Sequence, residues 1–405
     1  MKLTKYPPGA GSTLVCGAEP TSSTVYHYDA CPVTPAAATG GSSMAMGASS
    51  TASTDNAVAI GVSANADGDG SALAIGTSSN CGAELGTAIG SLATLGADAY
   101  AAIAIGYATN VSSAGTATGA YSICLGEQAT MTQTLSVGTL ESCIAMGNTA
   151  QIIGGNSGNT AIGFGAQVNT YETESVDSIA IGTNAISRSG IRCISIGHDS
   201  NTGGTGNTAG ATSAIAIGDG AASASGMAIG AGATSSDGGI AVGTNSVSFQ
   251  KGQFAHSSGN AVGDEGRHQY YRFVCRGTTT NATATSIQTT GNTVSTVEMQ
   301  LEPRTTWRFH AMVVGRAEPT AGGGDSFTAD YVGAIKRDNA SATALIGSVT
   351  TLNVKEDAGV AGAWSAVFTA NDTYEALELK VTGEASHTIE WTAVIEIASV
   401  STDAT

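Results

Sequence analysis

The 405-residue sequence predicts an all-β protein in two parts, a β-solenoid of short coils followed by an antiparallel β-sandwich or jelly roll. Three observations predict it. A small–aliphatic–glycine step recurs fourteen times between Gly47 and Gly243, with a typical spacing near fourteen residues. No proline occurs between positions 36 and 302, so no ladder N–H is lost over that length. Beyond position 268 the texture changes to alternating apolar and polar runs separated by Gly, Asn, Asp and Thr.

Residues 1–41 come first. Tyr6-Pro7-Pro8, Glu19-Pro20, Cys31-Pro32 and Pro35 disfavour a long regular element, while Val25-Tyr26-His27-Tyr28 reads as one strand. The zone is expected to be an irregular attachment region, or a cap over the open edge of the first coil.

The repeat occupies 42–250. Ala59-Ile60-Gly61, Ala74-Ile75-Gly76, Ala104-Ile105-Gly106, Ala180-Ile181-Gly182, Ala216-Ile217-Gly218 and Ala228-Ile229-Gly230 are its clearest copies. Gly90, Gly126, Gly138, Gly147, Gly163, Gly197 and Gly243 mark others. A period this short suits one coil of a solenoid and is too small for a helix pair or a propeller blade. In Ser178-Ile179-Ala180-Ile181-Gly182 the isoleucines share one strand face and Ala180 takes the other. The glycine then allows a turn with positive φ. Two or three aliphatics per coil are expected to turn inward. They return less than the entropy of ordering the coil, so identical neighbours around an axis are expected to cover the Ala/Ile faces. At a strand spacing of about 4.8 Å the coils would form a rod roughly 65 Å long.

A linker over 251–268 leads to a domain over 269–405. Its strands are read around Tyr270–Arg276, Trp307–Val314, Asp330–Lys336, Ala363–Phe368, Glu375–Val381 and Ile389–Ile395.

Charge narrows the function. The net charge is −17, and residues 6–187 contain no Lys or Arg, so a nucleic-acid backbone has no basic footprint to bind. Neither an apolar signal-peptide run nor an apolar stretch long enough to span a membrane is seen. The seven scattered cysteines have no CxxC pair and are read as reduced and mostly buried.

The chemical candidates are few. Asp67-Gly68-Asp69-Gly70-Ser71 opens like a calcium loop, but Ala72 and Ser78 stand where that loop needs Gly and Glu, so it is read as a turn and no cofactor or metal is expected. Tyr171 and Asn207 fall in longer steps of the repeat, where solenoids place lateral insertions. The repeat has too few acids and aromatics for a saccharide-cleaving groove, and no Gly-x-Ser-x-Gly elbow surrounds Ser326. A non-enzymatic protein is expected.

The repeat Ala-Ile-Gly-x-x-Ala/Ser-x-Ala resembles the head repeats of trimeric autotransporter adhesins over about residues 42–250. That resemblance implies a homotrimeric, left-handed parallel β-roll. The apolar heptads and C-terminal membrane strands of that family are not found. Residues 260–400 look like the C-terminal β-domain of tailed-bacteriophage fibres, on Trp307-Arg308-Phe309, Glu384–Trp391 and Val394-Ile395-Glu396-Ile397. This implies a virion fibre or spike, assembled in the host cytoplasm, docked to a tail or baseplate protein by its N-terminal region. A host polysaccharide or protein receptor would meet knob loops carrying Arg304, Gly323, Asp325, Asn371 and Asp372. A capsid fibre, a bacterial surface adhesin and a polysaccharide depolymerase remain the alternatives.

Overall fold

The computed structural model describes residues 26–28, 36–113, 120–133, 141–154, 157–169, 177–188, 191–203, 213–259, 266–290, 299–319, 323–339, 342–360 and 363–402. The chain divides into two compact units, Met1–Ala214 and Ile215–Thr405.

The first unit is a β-solenoid. Each coil contributes one strand to each of two parallel ladders. In the first ladder Val58–Ile60, Leu73–Ile75 and Thr87–Ile89 stack in register, and the stack runs on through Ile179–Ile181 to Ile194–Ile196. In the second, Asn65–Ala66 lies between Thr51–Ala52 and Asn80–Cys81, and this stack reaches Asn201–Thr202. Tyr26–Tyr28 adds a strand before Met44–Met46.

The inward residue of the first ladder is small in every described coil. Ala45, Ala59, Ala74, Ala88, Ala104, Cys124, Ala145, Ala161, Ala180 and Ser195 are buried. The repeat isoleucines differ from expectation. Ile60, Ile75 and Ile181 are only half-buried, and Ile105 is 39% exposed. At the inward position of the first ladder the interior has room for a small side chain only, so the alternation of the strand sends alanine, serine or cysteine in and the long aliphatics out.

The second ladder varies more in size. Its buried residue is Ala52, Ala66 and Cys81 in the short early coils, then Leu95, Val111, Met131, Ile152 and Val168, then Ser187 and Thr202. The large side chains fall in consecutive coils between Gly90 and Gly182. A close-packed interior requires a larger side chain wherever its section is wider.

Each coil turns at the repeat glycine, with φ of +134° at Gly61, +133° at Gly76, +132° at Gly90 and +133° at Gly182. A Cβ on Gly90 would overlap the carbonyl oxygen of Gly106 in the next coil. Gly126 stacks directly on Gly147. Gly138, read as a further copy, lies outside the described residues, and the coil there runs from 126 to 147.

The second unit begins with stacked rungs of the same kind. Ile215–Ile217, Gly226–Ile229, Gly239–Val242 and Phe254–His256 form one parallel ladder. Phe254–His256 then pairs antiparallel with the long strand His268–Thr279. From there the topology is antiparallel. His268–Thr279 pairs with Ile389–Ser401, which pairs with Thr305–Ala317, then Ser326–Arg337, then Thr350–Glu356. A smaller sheet joins Thr285–Ser286, Ala376–Thr382 and Ser365–Asn371. Trp364 meets Trp391 at 5.7 Å between ring centroids, and Phe368 meets Phe309 at 5.1 Å and Tyr331 at 5.5 Å. The core of this unit therefore lies between residues of the two sheets, around fully buried Phe273, Phe309 and Trp391.

Candidate functional site

The knob residues expected at a receptor surface fall at two ends of the large sheet. Arg304 sits at the start of the 305–317 strand with φ +59°, and its carbonyl accepts the Thr402 N–H at 3.2 Å. Asn371 and Asp372 share that end. The Asn371 side chain accepts the N–H groups of Thr373 and Tyr374 at 3.1 and 3.2 Å. Asp372 accepts the Thr343 N–H at 2.7 Å, and Thr343 pairs with Arg337, which pairs with Thr305. Gly323 and Asp325 lie at the opposite end, where the Asp325 carbonyl accepts the Ala317 N–H at 2.9 Å. A strand of this length spans roughly 40 Å, so the five residues do not converge. Tyr171 and Asn207 lie outside the described residues. Among the described residues no group of three or more His, Cys, Asp and Glu side chains is placed to hold a metal ion.

A different site emerges from the strand register. Reading inward-facing residues across the three central strands gives a series of rows. Ala311, Ile395 and Phe273 make one, and Phe309, Ile397 and Tyr271 the next. Then the rows turn polar. Trp307 stands opposite Ser399, which stands opposite Gln269. Thr305 stands opposite Ser401, whose N–H donates to the Arg267 carbonyl at 2.9 Å. Where the side chains turn polar, a cavity of about 330 Å³ opens, lined among others by Arg267, Tyr271, Thr305, Trp307, Ser399 and Ser401.

The far wall is built from Phe249, Gln250 and Gln253 and from Gln300 and Glu302. It is held in place by side-chain amides. Gln250 donates to the Gln300 carbonyl at 2.6 Å and accepts its N–H at 3.0 Å. Gln253 accepts the N–H groups of Phe249 and Gln250 at 2.8 and 3.1 Å. Next to Gln300, Leu301 is fixed by the Glu375 carbonyl and by the Arg337 guanidinium, which donates to its carbonyl at 2.7 Å.

The floor carries unused polar capacity. The Trp307 ring is 2% exposed and packs edge-on against Tyr271 at 5.8 Å. Its indole N–H is buried and has no hydrogen-bond partner, while the equally buried Ser399 hydroxyl lies against the Tyr271 hydroxyl. The Tyr271 hydroxyl accepts from Gln269 at 2.9 Å and has Ser399 as a further hydrogen-bonding neighbour. Burial holds the Tyr271 phenol above its ordinary range, so it stays neutral and can still donate. An unpaired buried donor costs about 1–3 kcal/mol, so the Trp307 indole is a local cost to this end of the sheet.

Sequence places Trp307 on a strand and shows Glu302 as one acid of the terminal domain, but assigns none of the pocket residues to a site. The available signal was the inward set of three strands, Thr305-x-Trp307, Ser399-x-Ser401 and Arg267-x-Gln269-x-Tyr271, turning polar where the rest of each strand is apolar. Only the register shows that the three sets meet.

No family model matches the sequence, and no curated protein matches it. Solved structures that match include the tailspike protein of Acinetobacter baumannii phage AM24, 12% identical over 76% of this chain and 69% of that one, with a TM-score of 0.22. The tailspike protein of Acinetobacter phage vB_ApiP_P1 is 10% identical over 94% of this chain and 81% of that one, also with a TM-score of 0.22. At that TM-score the folds do not superpose, and the matches assign this chain neither a fold nor an activity.

Proposed function

We propose that the chain is a homotrimeric virion fibre or spike of a tailed phage that attaches the particle to its host without cleaving the receptor. The observation that carries the trimer is the outward aliphatic ladder of the first unit. Ile105, Leu125, Met146, Ile162 and Ile181 stack in register and stay half-exposed or exposed, beside Ile103, Ile123, Ile144, Thr160 and Ile179. A contiguous apolar strip of this kind marks an interaction surface, and its coil-by-coil repeat suits a second strip of the same period. Two further copies around one axis cover it. The solenoid is then a shaft of the left-handed roll type, and the two-sheet domain is a β-sandwich knob.

The phage setting rests on the resemblance of residues 260–400 to appendage domains. In this reading the N-terminal region docks to a tail or baseplate protein, and three knobs on one axis convert weak contacts into avid attachment. A binder is favoured over a depolymerase because Glu302 is the single carboxylate among the pocket's lining residues, whereas glycoside hydrolysis ordinarily uses two.

Light scattering on the purified full-length chain tests the assembly. Three chain masses, with a band that resists unheated SDS, uphold the shaft; a monomer sinks it. Labelled antibody against the chain should decorate tails of intact particles. Decoration of capsids after tails are removed would move the fibre to the head, and decoration of phage-free cells would make it a bacterial adhesin.

A further inference from the structure

We propose that the outer face of the large sheet packs against the same face of two further copies of this chain, so that the knobs meet one another around the trimer axis. This contact rests on the homotrimer proposed above and adds the face by which the knobs join it.

The strand register carries an outward column onto that face. The second unit opens on rungs whose outward residues are Ile215 and Ile217, Met227 and Ile229, Ile240 and Val242, then Phe254 and His256, each pair in register with the next. The same kind of column marks chain contact in the first unit. It does not end at the last rung. Phe254 stands opposite Arg272 on the long strand His268–Thr279, and the Arg272 guanidinium lies over the Phe254 ring at 5.4 Å. Directly opposite residues of a sheet share a face, so the column runs onto the outer face of the large sheet. One row along, Val274 stands opposite Val394, which stands opposite Met312. Val314 follows on the strand of Met312, and Val332 lies diagonally beside it. Val274, Met312 and Val314 are exposed in the single chain.

A sheet with one side on a core and the other in water sets polar residues outward. The inner side here is already used, because it packs on the smaller sheet around Phe273, Phe309 and Trp391. On the outer side three adjacent strands instead place apolar residues together, which marks a surface for a macromolecular partner. The rim says which partner. Arg272 and Glu396 stand opposite each other on one side of the patch, and Arg316 and Glu390 on the other. Around a three-fold axis one side of a face meets the opposite side of its neighbour, and here each side offers both signs. A rim of one sign would repel its own copy, whereas this one matches it. The smaller sheet and its loops are then left on the outside of the trimer, toward the host.

The experiment uses the purified full-length chain, in which only a copy can cover the face. Met312→Cys sets a thiol in the patch, and Val367→Cys sets a control on the outer side of the smaller sheet. In the single chain the two positions are 38% and 52% exposed, so without a copy their thiols should react at similar rates. The described natural cysteines are buried, and wild type supplies the background of the others. Maleimide labelling of the folded protein should run about tenfold or more slower at 312 than at 367, because a covered thiol reacts only when the contact opens. In denaturant the two should label alike. Val274→Cys is the second probe of the patch if Met312→Cys departs from wild-type mass or melting. Light scattering on the same samples separates the two readings. A trimer that labels equally fast at both positions overturns the knob contact and leaves the shaft trimer standing. A monomer overturns the shaft trimer and this contact with it.

Discussion

Gly90 and Leu92 sit two residues apart and illustrate opposite constraints on one turn. Gly90 has φ +132° and no room for a Cβ against the Gly106 carbonyl. Gly90→Ala should therefore lower the melting temperature, by several degrees and at a cost of at least 1–2 kcal/mol, roughly the penalty of a strained backbone site. Leu92 has φ +61° but is 46% exposed, with nothing to gain from its side chain. Leu92→Asn should raise stability by about 1 kcal/mol, because asparagine tolerates the left-handed region better. Thermal melts of the two variants should move in opposite directions. The buried thiols make a second residue-scale prediction. Burial pushes Cys124 up to about 12 and Cys143 up to about 11 from an ordinary value of 9.0. In the unfolded chain these thiols ionise as pH rises past 9.0, while in the folded chain they stay protonated. Their contribution to stability is thus complete below pH 9.0 and falls as pH climbs toward 11–12. Denaturant midpoints should be level from pH 7 to 8.5 and drop above 9, and native protein at pH 8 should resist alkylation at both positions.

At the scale of the element, the same position of the second ladder holds side chains of different size in different coils. Met131 and Ile152 occupy the ladder position held by Ala52 and Ala66 in shorter coils, and all four are buried. Met131→Ala should cost about 2–5 kcal/mol through the cavity it leaves. Ala66→Met should cost about 1–3 kcal/mol or more, because the short coil has no space for it. Little effect from either change in thermal melts would overturn the reading that each coil is close-packed around its own side chain. The Thr350–Glu356 strand teaches the converse. Every residue in it is exposed, so its apolar residues Leu352 and Val354 mark no core, and the alternation that flags the other long strands is missing.

For the whole molecule, the outward ladder decides whether the chain is stable alone or in company. Ile181 is half-buried in the single chain and lies in register with Ile162 and Ile196. Ile181→Asp places a charge in that strip, and in a trimer it would be buried without a partner, at a cost of several kcal/mol per chain. Light scattering should then show dissociation to single chains or loss of SDS resistance. An unchanged trimer would place the strip on the outside of the assembly and require another interface.

The sequence by itself determined the solenoid. A glycine every coil, alanine beside it and no proline over hundreds of residues leave few alternatives, because stacked parallel strands need free N–H groups and close backbones. It also showed the all-β texture of the C-terminal part through period-two alternation at Leu377, Leu379 and Val381. It did not show which way the isoleucines face. Alternation separates Ile from Ala on a strand, but only the packed coil reveals that the inward position of the first ladder takes small side chains alone. Nor could it show the pocket. Trp307, Ser399 and Gln269 are far apart along the chain, and pairing register is a property of the assembled sheet. Local pattern is written in neighbours along the chain, whereas a site made from three strands exists only once long-range hydrogen bonding has aligned them.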